Sequence, residues 1–181
     1  MDIKYVSTDV ERLEVRDFLA EHIPGIAQTA VPATAMDSAY APLVAAIRSE
    51  ENTIVAAALT CRAQVAAGAS MTGIGRQMFG TALDKHSELD LLAVAPQARG
   101  AGLGTALVND LQGELVSNGV RVWFGNVTED LEVDKLRGFY ARLGFTVLGD
   151  GQPLPPLLGK QWVPPFAEMP AFFFYKLLPK Q

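Results

Sequence analysis

The residues whose types and spacing point most clearly to a chemical role lie in one glycine-rich segment, Gln97 to Leu107. Three of its glycines stand at alternate positions, Gly100, Gly102 and Gly104, between an apolar run and an apolar-periodic segment. This order predicts a strand, a tight turn and a helix. Such a turn directs backbone N–H groups and the positive end of the helix dipole toward one point, which favours phosphate binding. The segment therefore predicts a site for a phosphorylated ligand.

Two common nucleotide-binding motifs do not fit this segment. The dinucleotide motif G-x-G-x-x-G requires a third glycine where the chain has Thr105. The P-loop motif G-x-x-x-x-G-K would have to use Gly159 and Lys160, but Leu154 stands at the position of its first glycine. The absence of the third glycine of the dinucleotide motif argues against a nucleotide-binding α/β enzyme. This class of enzyme remains an alternative, and a comparison of acetyl-CoA, NAD and ATP as ligands would test it.

The turn does match the pattern Q/R-x-x-G-x-G/A, beginning at Gln97. A second stretch, Phe139 to Phe145, has a Tyr in a predicted helix that is followed by Gly-Phe. Together the two stretches resemble the GNAT superfamily of N-acetyltransferases, which bind acetyl-coenzyme A (acetyl-CoA). The resemblance covers Glu88 to Leu111 and returns at Phe139 to Phe145. It implies an α/β fold of the GNAT type, with a mixed central β-sheet flanked by helices, in a single acyltransferase domain over residues 1–181.

The resemblance also implies where the acyl donor is bound. In the family, the backbone of the strand before the turn hydrogen-bonds the pantetheine arm, and here that backbone belongs to Leu92, Ala93 and Val94. The turn then receives the pyrophosphate, because glycine allows close approach of the backbone and permits positive φ values. The implied pyrophosphate-binding residues are Arg99, Gly100, Ala101, Gly102, Leu103, Gly104 and Thr105.

Acyl transfer to an amine requires a base, an oxyanion donor and an acid. Glu88, at the start of the strand, is favoured as the base that takes the proton of the ammonium group. Asp90 is on the same face of the predicted strand and is the second candidate, and a water chain is the third. A backbone N–H near Val94 is expected to stabilise the oxyanion. The resemblance implies that Tyr140 protonates the departing CoA thiolate.

The chain departs from the family pattern just before the helix of Tyr140. Family members often carry an Asn seven residues before this Tyr, but Val133 occupies that position here. Asn126, at the end of the preceding predicted strand, is a possible replacement whose role stays open. His22 and His86 are too few for a metal cluster, so no metal is expected. His86 is interpreted as a residue at the mouth of the site or as a solvated turn residue.

Composition limits the class of protein. The chain has 181 residues and a net charge of −5, and its composition of 49% apolar and 19% charged residues argues against disorder. No cluster of Lys and Arg indicates a nucleic-acid partner, and the apolar runs are far too short for a membrane span. The single cysteine, Cys61, is consistent with a reducing compartment and thus with the cytoplasm.

The elements that must position these residues follow from apolar periodicity. A strand from Glu88 to Val94 is stopped by Pro96, and the helix after the turn carries Leu103, Leu107, Leu111 and Leu115 on one stripe. Asn118-Gly119 is expected to cap the end of this helix in a left-handed conformation. A second helix in the N-terminal part is expected from Asp37 or Ser38 to about Arg48. The other predicted elements are helices at Val10–Ile23 and Asp134–Leu143, and strands at Asp2–Ser7, Thr53–Cys61, Val120–Phe124, Phe145–Leu148 and Ala171–Leu178, the last of which is expected to close the sheet.

The acceptor is the least determined part of the prediction. In the family it is bound by three segments, which here are Ile23 to Tyr40, Gln64 to His86 and Gln152 to Met169; within the second of them, Gln64 to Lys85 fits either a helix or a loop. Their apolar and aromatic composition favours a small or partly apolar amine, carried by a small molecule or a peptide. An acyl-CoA-binding sensor without turnover is the alternative function, and a homodimer is compatible with the sequence.

Overall fold

The computed structural model describes residues 2–62, 84–128, 132–156 and 170–180. The chain divides into two compact units, one formed by Met1–Cys61 and Leu89–Glu114, the other by Arg62–Glu88 and Leu115–Gln181. The single-domain organisation stays a prediction. Most of the segment that fitted either a helix or a loop, 63–83, lies outside the described residues, as do 157–169 of the third predicted acceptor segment.

The first unit opens with a strand and a helix. Strand β1 covers Ile3–Tyr5, and helix α1 covers Asp9–His22. Helix α1 begins where it does because the Thr8 side chain accepts from the backbone N–H of Glu11 while the Glu11 side chain accepts from the N–H of Thr8. Its buried side contributes Val15 and Leu19 to the apolar core of this unit. Three further elements follow along the chain: helix α2 at Asp37–Tyr40, strand β2 at Leu43–Arg48 and strand β3 at Ile54–Cys61.

The prediction of a helix reaching about Arg48 was wrong. Helix α2 ends at Tyr40, since Ala41 adopts a left-handed φ of 41° and Pro42 cannot continue the ladder. The apolar run that follows is strand β2, which pairs antiparallel with β1 on one side and β3 on the other. Its four central residues are buried, as expected of a strand covered on both faces. A short apolar run is compatible with a buried strand and with a buried helix. The hydrogen-bond pairing of this segment with β1 and β3 shows that it is a strand.

Strand β4 and the helix after it carry most of the predicted donor site. Strand β4 covers His86–Val94 and begins two residues before the predicted start, while helix α3 covers Leu103–Ser117. The leucine stripe predicted for α3 is confirmed, because all four of its members are buried. The left-handed cap predicted after it is also confirmed, since Gly119 has a φ of 75° and its N–H donates to the carbonyl of Val116 at 2.9 Å.

Three further strands and one further helix lie in the described residues of the second unit. Strand β5 covers Val122–Val127, helix α4 Val133–Arg142, strand β6 Thr146–Val147 and strand β7 Phe172–Leu177. Strand β7 pairs antiparallel with both β5 and β6, so the prediction that it closes the sheet was wrong. The buried Phe residues of β7 favour a central position, whereas the two-residue β6 suits an edge.

The expected fold class is confirmed. The strands that the structure describes hydrogen-bond into one mixed sheet of seven strands, in the order β1-β2-β3-β4-β5-β7-β6. Four α-helices, α1 to α4, lie in the described part of the chain. Strand, turn and helix alternate from β4 to β6, which is typical of an α/β protein.

Candidate functional site

The C-terminal end of β4 leads directly into the glycine turn. Leu92 and Val94 are half-buried and Ala93 is buried. The carbonyl of Val94 accepts a hydrogen bond from Arg99 Nε at 3.2 Å, and the N–H of Ala95 donates to Val55 O at 2.9 Å. Strand β4 is therefore anchored to β3 at its end, and the Arg99 side chain folds back over the entrance of the turn.

The turn has the geometry that its sequence predicts. A short 3-10 segment, Pro96–Ala98, leads into it, and Gly100 and Gly102 adopt φ values of 85° and 78°. The N–H of Ala106 donates to Gly102 O at 2.9 Å and begins the hydrogen-bond ladder of α3. The N–H groups at the start of a helix have no intrahelical acceptor, so a ligand can use them. Gly104 lies inside the first turn of α3, without a positive φ.

Open space surrounds the two left-handed glycines. A Cβ built on Gly100 or Gly102 would meet no protein atom within 4 Å. Their side-chain positions therefore face a free region in front of the helix N-terminus, which a phosphate can approach closely. Any other residue would need a conformation that costs free energy in L-amino acids and would fill part of this space.

The two candidate bases differ in their surroundings. Glu88 is buried, with 3% of its surface exposed, so it is not a solvated residue at a strand entrance. Burial raises the pKa of Asp90 to about 6 from an ordinary value of 3.8. Asp90 therefore changes its charge close to neutral pH, as a general base should. His86 is the first residue of β4 and is buried, so the interpretation as a solvated turn residue was wrong.

Tyr140 is held in an aromatic cluster of the second unit. Its ring stacks on Phe174 with centroids 3.7 Å apart, and it meets Phe139 and Phe145 edge to face at 5.1 and 5.8 Å. Burial raises the pKa of its hydroxyl above the ordinary value of 10.0, so the group stays protonated at physiological pH. No residue in the described part of the chain hydrogen-bonds this hydroxyl, and it can act as a proton donor.

The start of α4 lacks the expected polar cap. Val133 is the first residue of the helix, and the preceding Glu132 makes no side-chain capping bond. Asn126 lies within β5, opposite Phe173 of β7, and not at the helix start. The structure therefore does not place Asn126 where the family's Asn would stand.

The predicted residues fall into two groups. Asp90, Leu92 to Val94 and the turn are consecutive parts of one strand–turn–helix segment in the first unit, whereas Glu88 and Tyr140 belong to the second unit. Sequence reasoning missed Arg137 and Lys176, which contact the aromatic cluster around Tyr140. The alternation of Phe172, Phe174 and Lys176 along one face of β7 was the available signal.

An open cleft of about 730 Å³ lies in the first unit beside the residues that lead into the turn. Its lining includes the carboxylates of Glu14, Asp17 and Glu21 as well as Arg48, which forms an ion pair with Glu14. This excess of negative charge is unfavourable for a pyrophosphate. The N–H groups of the turn, and not this cleft, are therefore the better phosphate site.

In the described part of the chain, no group of three or more His, Cys, Asp or Glu side chains is arranged so that it could hold a metal ion. In the same residues, no helix is long and apolar enough to cross a membrane.

Comparison with known proteins agrees with the fold. The family model described as an acetyltransferase (GNAT) domain matches residues 44–147, which include β4, the glycine turn and Tyr140. The chain belongs to the GNAT acetyltransferase family. No protein of curated function matches the sequence significantly.

Solved structures with the same fold span nearly the whole chain. A GNAT-family acetyltransferase from Staphylococcus aureus Mu50 is 14% identical with a TM-score of 0.67, covering 98% of this chain and 100% of its own. An aminoglycoside 6′-N-acetyltransferase complexed with coenzyme A is 16% identical with a TM-score of 0.62, covering 100% and 99%. The ribosomal-protein-S18-alanine N-acetyltransferase of Escherichia coli is 16% identical with a TM-score of 0.58, covering 99% and 96%. At these identities the likeness concerns the fold alone.

Proposed function

We propose that the protein is an N-acetyltransferase that transfers the acetyl group of acetyl-CoA to a primary amine by direct attack in a ternary complex. The observation that carries the proposal is the turn after β4. Gly100 and Gly102 have positive φ values, open space lies where their side chains would be, and the N-terminus of α3 follows at once. This arrangement suits the pyrophosphate of CoA. Coenzyme A in an aminoglycoside 6′-N-acetyltransferase of the same fold supports the choice of donor.

The proposed reaction uses one group for each proton and for the developing charge. Glu88 or Asp90 takes a proton from the ammonium group of the acceptor, directly or through water, and frees its lone pair. The amine nitrogen attacks the thioester carbon, and the backbone N–H near Val94 stabilises the negative oxygen. The carbon–sulfur bond then breaks, and Tyr140 gives its proton to the thiolate. The attacking nitrogen releases its second proton through water, which restores the neutral Tyr140 hydroxyl and leaves a neutral amide. The products are an amide and CoA with a free thiol.

The acceptor class in this proposal is a primary amine of a small molecule or a peptide. Two proteins of the same fold are described as acting on an aminoglycoside and on the alanine of a ribosomal protein. Both are amine acceptors of very different size, so the fold supports the reaction type and not a particular substrate. A small or partly apolar amine is the proposed choice, because the three predicted acceptor segments contain apolar and aromatic residues and little acidic charge.

A matched pair of glycine variants tests the donor site. Gly25 and Gly102 have nearly the same φ, 74° and 78°, and neither has a protein atom within 4 Å of a built Cβ. Gly25→Val and Gly102→Val should therefore lose similar stability, about 1–3 kcal/mol. Only Gly102→Val should weaken CoA binding, by more than tenfold in calorimetric titration. CoA binding as strong as in the wild type would refute the assignment of the turn.

A ligand comparison and a turnover assay test the activity. Acetyl-CoA should raise the melting temperature of the wild type, whereas NAD and ATP should not. An amine panel with acetyl-CoA should then release free thiol, and Glu88→Gln should lower that rate more than Asp90→Asn if Glu88 is the base. Stabilisation by a nucleotide alone would overturn the proposal. Tight binding of acetyl-CoA without thiol release on a broad panel would identify a sensor instead.

A further inference from the structure

Helix α4 and strand β7 meet through three contacts in regular order. Arg137, Tyr140 and Leu143 follow each other at intervals of three residues on α4 and its C-terminal cap, and therefore share one side of the helix. Phe172, Phe174 and Lys176 alternate along β7 and therefore share one face of the strand. Each residue of the first set contacts its counterpart in the second. These pairs are called the three rungs below.

The first rung is centred on the guanidinium group of Arg137. Its carbon Cζ lies 4.3 Å from the centroid of the Phe172 ring. Its nitrogens donate to Leu148 O at 2.7 Å and to Ala171 O at 3.4 Å, and the group also forms an ion pair with Asp150. Asp150 is 91% exposed, so the ion pair adds little. The two carbonyls and the ring are what fix the guanidinium beside β7.

The third rung joins the other end of the helix to the same strand. Lys176 Nζ donates to Leu143 O at 2.7 Å and lies 5.5 Å from the centroid of Phe145. This bond satisfies one of the carbonyls that the end of a helix leaves without a partner. Burial lowers the pKa of Lys176, although its bond to a carbonyl keeps the ammonium form useful as a donor.

The second rung, between the other two, is the stack of Tyr140 on Phe174 at 3.7 Å. We propose that Arg137 and Lys176 are positioning residues, which hold α4 in register with β7 so that the Tyr140 hydroxyl points where the leaving sulfur of the proposed reaction needs a proton. The inference rests on the proposed function for its catalytic meaning. Its geometric part, that the two cations maintain the ring stack, stands on the contacts themselves. A stack fixed at one point alone could slide along the strand, whereas three rungs leave one register.

The experiment compares Arg137→Gln and Lys176→Gln with Arg142→Gln. Arg142 lies on the same helix, is exposed, and has no ion pair among the described residues, so its variant is matched in charge and element. Proton NMR of the Tyr140 ring, assigned with Tyr140→Phe, measures the upfield shift that the stacked Phe174 ring produces. Kinetics with acetyl-CoA and a reactive amine give kcat and KM.

We expect Arg137→Gln and Lys176→Gln to reduce the upfield shift and to lower kcat about tenfold to a hundredfold, with KM for acetyl-CoA unchanged. Arg142→Gln should alter neither quantity. Arg137→Lys should recover part of the upfield shift and part of kcat. Its ammonium group keeps the positive charge over Phe172 but cannot bond Leu148 O and Ala171 O at once as the planar guanidinium does.

Unchanged Tyr140 signals in the folded Arg137→Gln and Lys176→Gln variants would overturn the proposal. If Arg137→Gln does not fold, the same comparison made with Arg137→Lys decides the matter. A reduced shift with wild-type kcat would also overturn it, provided that Tyr140→Phe lowers kcat. If Tyr140→Phe has no effect on kcat, the acid role fails, and the ring signals alone then support or overturn the positioning.

Discussion

The rings of Tyr140 and Phe174 lie nearly parallel, with an interplanar angle of 14° and centroids 3.7 Å apart. This stack ties the Tyr of the second family-like motif to the centre of β7, a strand that lies far from it in sequence. Phe174 is completely buried, so the position of the Tyr140 ring is set by the core of the second unit. The hydroxyl is the part of the side chain left to do chemistry.

Tyr140→Phe should separate chemistry from binding. The variant keeps the ring and its stack but removes the proton donor, so kcat should fall about a hundredfold or more. The dissociation constant of CoA and the melting temperature should stay close to those of the wild type, because no described residue bonds the hydroxyl. Tyr175→Phe, on the neighbouring position of β7, is the control and should behave as the wild type. Equal losses in turnover and CoA affinity would contradict the acid role.

Phe174→Ala should be strongly destabilising. The side chain is fully buried among Tyr140, Phe145 and Phe172, so its removal leaves a cavity and costs about 3–5 kcal/mol. Urea unfolding measures the loss. Leu177→Ala on the same strand, where the side chain is 71% exposed, should cost less than about 0.5 kcal/mol. A loss for Phe174→Ala as small as that of the control would mean that the stack does not stabilise the unit.

The fold could be predicted from local patterns where one pattern has one meaning. The glycines at 100 and 102, the leucine stripe of α3 and the Gly119 cap each require a particular backbone geometry, and each was found. The prediction for Leu43–Arg48 was wrong because an apolar run of this length fits a buried helix as well as a buried strand. Only its pairing with β1 and β3 decides, and pairing depends on residues that are distant in sequence.

The candidate site divides in the same way. The geometry of the glycine turn depends on local sequence and was predictable, whereas the surroundings of Tyr140 are built by long-range contacts. Arg137 bonds Ala171 O and Lys176 bonds Leu143 O, and sequence separation hides both bonds. The burial of His86 follows likewise from its place in the sheet, which the sequence did not predict.

Asp90→Asn should change how stability depends on pH. The folded-state pKa of Asp90 is raised to about 6 from 3.8, so the folded protein holds this proton more tightly than the unfolded chain. The resulting stabilisation is complete below about pH 4 and is lost as the pH rises through 6. The Asn side chain at position 90 never ionises. The free energy of unfolding of the variant should therefore match that of the wild type at pH 4 and exceed it by up to about 3 kcal/mol at pH 8.

Urea unfolding over pH 4 to 8 measures this difference. The exposed Asp2, 79% accessible beside Lys4, offers the control Asp2→Asn, whose curve should follow that of the wild type. Parallel curves for Asp90→Asn and the wild type would mean that Asp90 titrates as it does in water, and would remove the argument for its use as a base.

Removal of Asp37 should cost more stability than removal of Arg12, although the two residues form one ion pair. The Arg12 guanidinium is 6% exposed and bonds Asp37 Oδ1 at 2.5 Å, Asp37 Oδ2 at 3.1 Å and Pro32 O at 3.1 Å. Asp37 is 46% exposed. In Asp37→Ala a buried cation keeps only a carbonyl partner, which should cost about 3 kcal/mol. In Arg12→Met the apolar stem is retained and Asp37 turns to water, so the cost should be about 1 kcal/mol or less.

Chemical unfolding at neutral pH compares the stabilities of the two variants. The control is Asp17→Asn, at an exposed position of α1, which should change stability by less than about 0.5 kcal/mol. A larger loss for Arg12→Met than for Asp37→Ala would mean that the guanidinium is not held as a buried charge, and that its contacts with the 32–37 segment act mainly through packing.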